Sequence, residues 1–570
     1  MQFNQIKNQP VRRNSYFLIL FVLLIGSGAL AQTTYLPQGD KANILLERLE
    51  IKARTDSFFN FSKIKPFSRR HAVAAASHYQ QLNGKTFSKV DAYNVQRLMA
   101  NNLEFVPAAE RAKYASKKPF LRNFWQTPAS MYEVHVKDFD LVINPMMNVA
   151  FSKEGNNDET LYQNGRGLYV RGKLANKVGF YASITDNQEK DPMYVRSFVA
   201  ARKAVPGAGF YKDFKNTGYD FFDARGYITF NAAKYIDVTF GYDKNFIGNG
   251  QRSLFLSDAG NNNLFFRLNT RIWKLNYQNL FMELHHADNR TGDRLIGKKY
   301  AALHHLDINI TKWLNVGLFE GVVFGRKDKF DFGYLNPIIF YRSIELQNGS
   351  YDNSLVGLDV KANLPKNIQL YGQLLLDEFN LSEVKKNEGW WANKWGIQLG
   401  AKYIDAFGIP NLDLQLEHNR VRPFTYSHSD SLANYTHYNQ PLAHPLGANF
   451  SEMIGVARYQ PAAKWLAVAK LIYYTQGRDS SSLSYGSNIF YPNQSPFRQG
   501  DYGHNIGSGW KTNVLLASFL LSYEFRENFF VELNALFRRQ ETKTAPLTSA
   551  NTSVLSLGLR WNMHRREFDF

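Results

Sequence analysis

From about Met131 onward, apolar and polar residues alternate in runs of about ten. "GIQLGAKYI" sets Ile397, Leu399, Ala401 and Tyr403 against Gly396, Gln398, Gly400 and Lys402. "NLDLQLEH" sets Leu412, Leu414 and Leu416 against Asp413, Gln415 and Glu417. "FFVELNALF" sets Phe529, Val531, Leu533 and Ala535 against Glu532 and Asn534. A period of two puts successive side chains on opposite faces, so each run predicts an antiparallel strand with one apolar and one polar face. A soluble sandwich turns the apolar face inward; a membrane barrel turns it to lipid and lines its lumen with the polar face.

The connections separate these two. Strands are expected to begin near 141, 161, 177, 222, 235, 263, 274, 300, 314, 354, 367, 395, 411, 452, 464, 512, 528 and 553. Short connections fall at 174–176, 232–234, 272–273, 312–313, 363–366, 406–410, 461–463 and 525–527. Long ones fall at 151–160, 186–221, 244–262, 287–299, 325–353, 378–394, 420–451, 476–511 and 539–552. Tight turns alternating with long loops belong to outer-membrane barrels, and a sandwich gives no reason for them. Trp273, Trp313 and Trp465, with Tyr235 and Phe529, stand at or beside short turns, where an interfacial aromatic girdle belongs. Two features resist the scheme. "LNPIIFYRSIEL" (335–346) is strand-like but falls inside a long connection, and the terminal Phe568 and Phe570 are out of parity with Leu555, Leu557, Leu559 and Trp561.

Ahead of this region the period changes. "DKANILLERLEIK" follows a capping Asp40, "SRRHAVAAASHYQQL" opens on Ser68, and "SKVDAYNVQRLMANN" opens on Ser88 with Asp91 three residues on. Three short helices are expected over 40–106, and a unit of that size is marginal alone, so docking on a larger body is favoured. At the start, Lys7, Arg12 and Arg13 precede an apolar run from Tyr16 to Ile25 and the small-residue site Ala29-Leu30-Ala31. This is the layout of a cleaved export signal. The expected division is residues 1–31 as leader, 32–130 as helical region and linker, and 131–570 as a transmembrane antiparallel β-barrel of about eighteen strands.

Composition narrows the setting. The chain holds 32 Tyr and 44 Phe but no Cys, so neither disulfides nor lipid attachment at a cysteine applies. The formal charge of +19, in an exported chain, points to anionic glycans and lipid head groups, including lipopolysaccharide, rather than to nucleic acid.

Several stretches carry a family resemblance: "TYLPQGDKANILLERLE", "KPFSRRHAVA", "FSKVDAYNVQRLMANN", "NFIGNGQRSLFLSD", "YLNPIIF" and Arg420–Gly447. Through them the chain resembles the capsule-assembly Wzi-like outer-membrane proteins and is similar to the related gliding-motility RemB-like proteins. The resemblance implies a short periplasmic helical bundle, an eighteen-stranded barrel in the outer membrane of a Gram-negative bacterium, and retention of surface polysaccharide without catalysis. It carries over no set of sugar-contact residues. A motility or adhesin component with periplasmic partners, and a diffusion porin, are the alternative functions.

No motif demands a cofactor or a metal. "GNGQRS" (248–253) lacks the Lys-Ser/Thr ending of a phosphate loop and reads as a glycine-rich outer loop. His285-His286 and His304-His305 are adjacent on strands and point to opposite faces, which disfavours chelation. Asp413, Glu417 and Glu532 are explained by a polar lumen. Two stretches stand out as ligand contacts. Trp390 and Trp391 lie in an outer loop, suited either to stacking on sugar rings or to covering the barrel mouth. The segment 420–447 gathers Arg420, Arg422, Tyr426, His428, Tyr435, His437, Tyr438 and His444 among prolines 423, 441 and 445. It reads as a rigid outer loop that contacts glycan, packs into the mouth as a lid, or does both.

Overall fold

The computed structural model describes residues 33–83, 87–155, 157–286, 295–338, 340–349, 351–480, 483–494, 498–544 and 546–570. The expected leader, residues 1–31, lies outside the described residues. Eighteen antiparallel strands close into a barrel. They are β1 Phe139–Glu154, β2 Thr160–Leu174, β3 Val178–Lys190, β4 Gly218–Ala233, β5 Ile236–Asp243 and β6 Asn263–Ile272. Next come β7 Leu275–His286, β8 Gly297–Asn309, β9 Leu314–Phe324, β10 Asn353–Leu364, β11 Ile368–Glu378 and β12 Lys394–Tyr403. The last six are β13 Leu412–Val421, β14 Phe450–Ala462, β15 Trp465–Arg478, β16 Trp510–Arg526, β17 Phe529–Thr542 and β18 Thr548–Trp561. Closure runs from Trp561↔Met147 to Val554↔Glu154. The largest departure from an expected start is β18, at 548 against 553. Two connections expected to be long, 151–160 and 539–552, shorten to 155–159 and 543–547 because their strands continue further.

Strand parity sorts the side chains as the alternation requires. On β10, Val356, Leu358 and Val360 face out, while Leu355, Asp359 and Lys361 are buried inside. Leu399, Leu416, Leu533, Leu555, Leu557 and Leu559 extend the exterior apolar surface around the wall. A continuous apolar exterior of this kind, over a lumen lined by the other parity, is the lipid face of a membrane barrel. Trp273, Trp313, Trp465 and Tyr235 are exposed beside the short turns, Trp273 at 82%.

A barrel of this strand number is too wide for its own side chains to fill. The chain fills it from both ends. At the short-turn end sit α1 (Lys41–Ala53), α2 (Arg69–Asn83) and α3 (Lys89–Ala100). Asp40 caps α1 through Ala42 N–H, and Ser88 with Asp91 forms the expected capping box on α3. Leu45, Leu49, Ala72, Ala76, Val95 and Leu98 make the helices' own core. Their polar faces pair with the wall. Arg48 meets Asp413 and Asp405 of the wall and its turn, and Asp91 of α3; Lys361 reaches Glu50; Lys402 reaches Glu47; and Arg97 meets Glu524 at 2.6 Å.

Toward the long-loop end the lumen lining changes character. On β7 the inward residues run from Asn276 and Gln278 to Leu280, Met282 and Leu284, all buried. The expectation of a uniformly polar lumen therefore fails in this half, where inward-folded loops supply an apolar core. The C-terminal tail also enters the lumen. Asn562 takes φ 49° after Trp561, and the tail pairs Arg565 with Glu532 (2.6 Å), Arg566 with Glu189 (2.6 Å) and Asp569 with Arg252 (2.9 Å). Phe568 and Phe570 are thus out of parity because they follow the last strand rather than belong to it.

The described residues of 325–352 do the opposite and lie on the outside of β7–β9. It forms a 3-10 turn, Phe332–Leu335, and a helix, Tyr341–Gln347, rather than a strand. Tyr277 donates its hydroxyl proton to Pro337 O (2.6 Å), and Arg342 N–H donates to Glu320 (3.2 Å). Tyr341 packs on His304 with ring centroids 4.0 Å apart. The segment covers these outward polar groups and turns Phe332, Ile338 and Phe340 away from the wall, each more than 70% exposed.

Two predictions follow from these contacts. The chain has no cysteine, so an environment-sensitive fluorophore on Ile338→Cys reports that position alone. Its emission should shift to the blue in bilayers and be quenched by brominated acyl chains; a water-like spectrum would contradict the outer-wall placement. Glu524→Ala leaves Arg97 and Lys41 without their shared carboxylate. It should weaken docking of the helices by about 3–5 kcal/mol, read as protease cleavage within 41–100 at lower urea.

Candidate functional site

The segment 422–449 does not stand out from the barrel; it folds down into the mouth. Phe424, Tyr426, Tyr438, Asn439 and Asn449 take positive φ, which turns the chain back on itself repeatedly. Tyr426 and Tyr435 stack at 5.7 Å and donate their hydroxyl protons to Leu254 O (2.8 Å) and Phe255 O (2.7 Å). Lys299, on the wall, donates to Asn434 O, Asn434 Oδ1 and Thr436 Oγ1 at 2.7–3.0 Å. The segment is therefore a lid fixed to both the wall and the neighbouring loop 244–262.

Two histidines lock it in the neutral state. His437 Nδ1 accepts His285 N–H (3.0 Å) and Nε2 donates to Asn262 O (2.9 Å). His444 Nδ1 accepts Leu446 N–H (3.2 Å) and Nε2 donates to Glu452 (2.7 Å). Each ring has one acceptor and one donor nitrogen in use, so protonation removes an acceptor. Burial, opposed by the Asn262 carbonyl, pushes His437 down to about 3. Burial also lowers His444, against the pull of Glu452.

The expected contact residues separate into three groups. Tyr426, Tyr435, His437, Tyr438 and His444 are buried in the lid, and a ligand reaches them only if the lid undocks. Arg420 is exposed on the outward face of β13. Trp390, Trp391, Arg422 and His428 are partly exposed at the mouth. Arg422 donates to Trp390 O (3.2 Å) and His504 O (3.0 Å). Trp391 packs edge-on against Phe424 at 6.0 Å, and the Arg498 guanidinium lies 4.0 Å over its ring. Phe424 in turn meets His504 at 5.0 Å. This mouth cluster joins three loops: 379–393, 422–449 and 479–509. Sequence reasoning missed Arg498 and His504, because nothing local ties residues a hundred positions away to Trp391.

"GNGQRS" is corrected more sharply. It connects strands at the long-loop end but descends through the lumen to the helices. Gly248 N–H donates to Lys63 O (2.8 Å), and Lys402 donates to Asn249 O (2.6 Å). The backbone N–H groups of Gln251 and Arg252 donate to Glu417 at 2.7 and 3.1 Å. A Cβ on Gly250 would lie 2.4 Å from Glu417 Oε2, so only glycine allows this approach. Asp413, Glu417 and Glu532 all face inward and are all engaged by plug residues. His304 and His305 do face opposite ways, His305 donating to or accepting from Asp359 inside (2.7 Å). Among the described residues no cluster of His, Asp and Glu is arranged to hold a metal.

No family model matches the chain, and no curated protein matches it. Among solved structures it is similar to Wzi of Escherichia coli, an outer-membrane protein involved in group 1 capsule assembly and a carbohydrate-binding β-barrel. The identity is 13% and the TM-score 0.55, over 95% of this chain and 100% of that one. OprD of Pseudomonas aeruginosa matches at 10% identity and TM-score 0.41 over 75% of this chain and 96% of its own. OccAB4 of Acinetobacter baumannii gives 10% and 0.41, over 75% and 98%.

The histidine geometry predicts a pH response of the lid. A histidine with a lowered folded pKa takes up its proton only on undocking between about 6.5 and 3. Docking is thus fully supported above pH 6.5 and weakens as pH falls through that window. A nitroxide on Ser431→Cys should gain mobility between pH 7 and 4, and His437→Gln should remove most of the change. A spectrum independent of pH would refute the assignment.

The likeness to Wzi, at this identity, establishes a shared fold: a closed eighteen-stranded outer-membrane barrel preceded by helices.

Proposed function

We propose that this chain is a non-enzymatic protein of the Gram-negative outer membrane that assembles or retains surface polysaccharide through its outer loops. In this reading the long-loop end faces the exterior, and the helices at the short-turn end face the periplasm. The observation that carries it is the mouth cluster. Arg422 fixes the Trp390 carbonyl, while Phe424 and Arg498 hold the Trp391 ring, Arg498 covering one of its faces, so the partly exposed pair is pre-positioned at the mouth rather than free to collapse. Aromatic faces stack on the C–H faces of sugars, and neighbouring guanidinium and imidazole groups bind hydroxyl and carboxylate oxygens. Wzi, which shares the fold, is a carbohydrate-binding barrel involved in capsule assembly, and that description supports the same reading here.

Arg420 has a different place in this reading. It stands on the lipid side of the barrel near the outer rim, suited to lipopolysaccharide phosphates rather than to the retained glycan.

The test is retention on cells. Trp390→Ala with Trp391→Ala should lower surface-bound polysaccharide severalfold and raise the shed fraction, with the amount of folded barrel in the membrane unchanged. Unaltered retention would refute the reading, and a motility defect in its place would favour the gliding-motility alternative.

A further inference from the structure

A second recess lies at the opposite end, between the start of α2 and the inner wall of β4–β7. It is a cleft of about 370 Å³, within the size range of small-molecule sites. Its floor is set by strand register. Arg267, Asn269 and Arg271 lie at every second position of β6 and so share the inner face. Asn269 pairs across with Asp237, Asn231 with Asp237, and Arg271 with Asn276. Its roof is aromatic: Phe58, Phe61, Phe67 and Tyr35, with the His71 ring stacked on Phe58 at 5.2 Å and 7°.

The polar groups of this cleft are not used up by the fold. Arg267 is 3% exposed and is spent on Asn245 (3.0 Å) and on the face of Tyr35 (4.5 Å). Arg271 differs. Its guanidinium lies 4.9 Å over the Phe61 ring and makes no ion pair or side-chain hydrogen bond among the described residues. Asn231 Oδ1 and Asn269 Oδ1 are buried acceptors with no hydrogen-bond partner. Asp237 is the one carboxylate among the residues that line the cleft. An unpaired arginine fork, orphaned amide oxygens and flat apolar rings form a complementary set. The fork takes a carboxylate, the amides take hydroxyl protons, and the rings take the C–H face of a pyranose.

We propose that this cleft is a second saccharide site, specific for acidic sugars, with Arg271 binding the carboxylate and Phe61 stacking on the ring. It rests on the reading that the chain handles polysaccharide, and adds to it a contact on the helix side of the barrel. A glycan held here is separated from the outer loops by the filled lumen, so the two sites engage different chains or different stages of one chain's delivery.

The experiment is calorimetric titration of the purified full-length protein in detergent with a galacturonic-acid tetrasaccharide, against a neutral galactose tetrasaccharide. The acidic probe should bind and the neutral one should bind at least tenfold more weakly. Arg271→Gln should weaken the acidic probe about tenfold and Phe61→Ala severalfold, with Arg271→Lys in between and melting temperatures unchanged. Trp390→Ala with Trp391→Ala should leave this binding as it was. Absence of binding to the wild type, equal binding of both probes, or full affinity in both Arg271→Gln and Phe61→Ala would overturn the proposal. Loss of binding only in the tryptophan variant would overturn it too, while supporting the outer-loop site. Retention on cells is measured separately, so failure here leaves the outer-loop reading standing or falling on its own result.

Discussion

Charges on the inner wall that cannot be left alone organise this protein. Alternation forces every second residue of each strand into the lumen, and near the short turns many of these are ionic: Asp307, Asp359, Lys361, Lys402, Asp413 and Glu524. In an open channel they would be solvated. Here they are buried, and a buried charge without a partner costs several kcal/mol. The helices and the connection between α1 and α2 are held in their docked form because they bring the partners. Lys63 goes to Asp307 and Asp359, Glu50 to Lys361, Glu47 to Lys402, Arg48 to Asp413, and Arg97 with Lys41 to Glu524. Replacing whole pairs by apolar residues is often neutral, so the pairs fix where the helices sit more than how stable the barrel is.

The same requirement couples the two ends. Loop 244–262 reaches Lys63 below, Glu417 at mid-height and the lid above, where Ser257 N–H donates to Leu442 O (2.8 Å). Arg252 binds Glu452 of the wall and Asp569 of the tail, and Glu452 also holds His444 of the lid. Helices, inner loop, tail and lid are thus one continuous packing unit inside a rigid wall. Any ligand at the mouth meets a surface whose rings and guanidinium groups are already positioned, which spares the ordering cost of a loose loop.

What the sequence made legible follows from the range of each signal. Strand alternation and helix caps act over a few residues, so the eighteen strand positions and the roles of Asp40, Ser88 and Asp91 were readable. The out-of-parity Phe568 and Phe570 marked an irregularity at the end of the chain, which alternation alone reads as a bulge or a shifted last strand and not as a tail that enters the lumen. "LNPIIFYRSIEL" had strand-like residues yet lies against the outer wall, because covering His304 and Glu320 outweighs local propensity. The inward course of "GNGQRS", the burial of Tyr426 and Tyr435, and the partnership of Trp391 with Arg498 depend on contacts between residues far apart in the chain. No local pattern encodes those. Charge and aromatic content pointed to the mouth as a binding surface, whereas the cleft at Arg271 depended on register between four strands and a helix.

The central claim is that the chain seals its own lumen from both ends. Single-channel recording of the wild-type protein in planar bilayers tests it most directly. The account predicts no stable ohmic pore at neutral pH and moderate voltage. A steady conductance of the size of an open eighteen-stranded porin would contradict it.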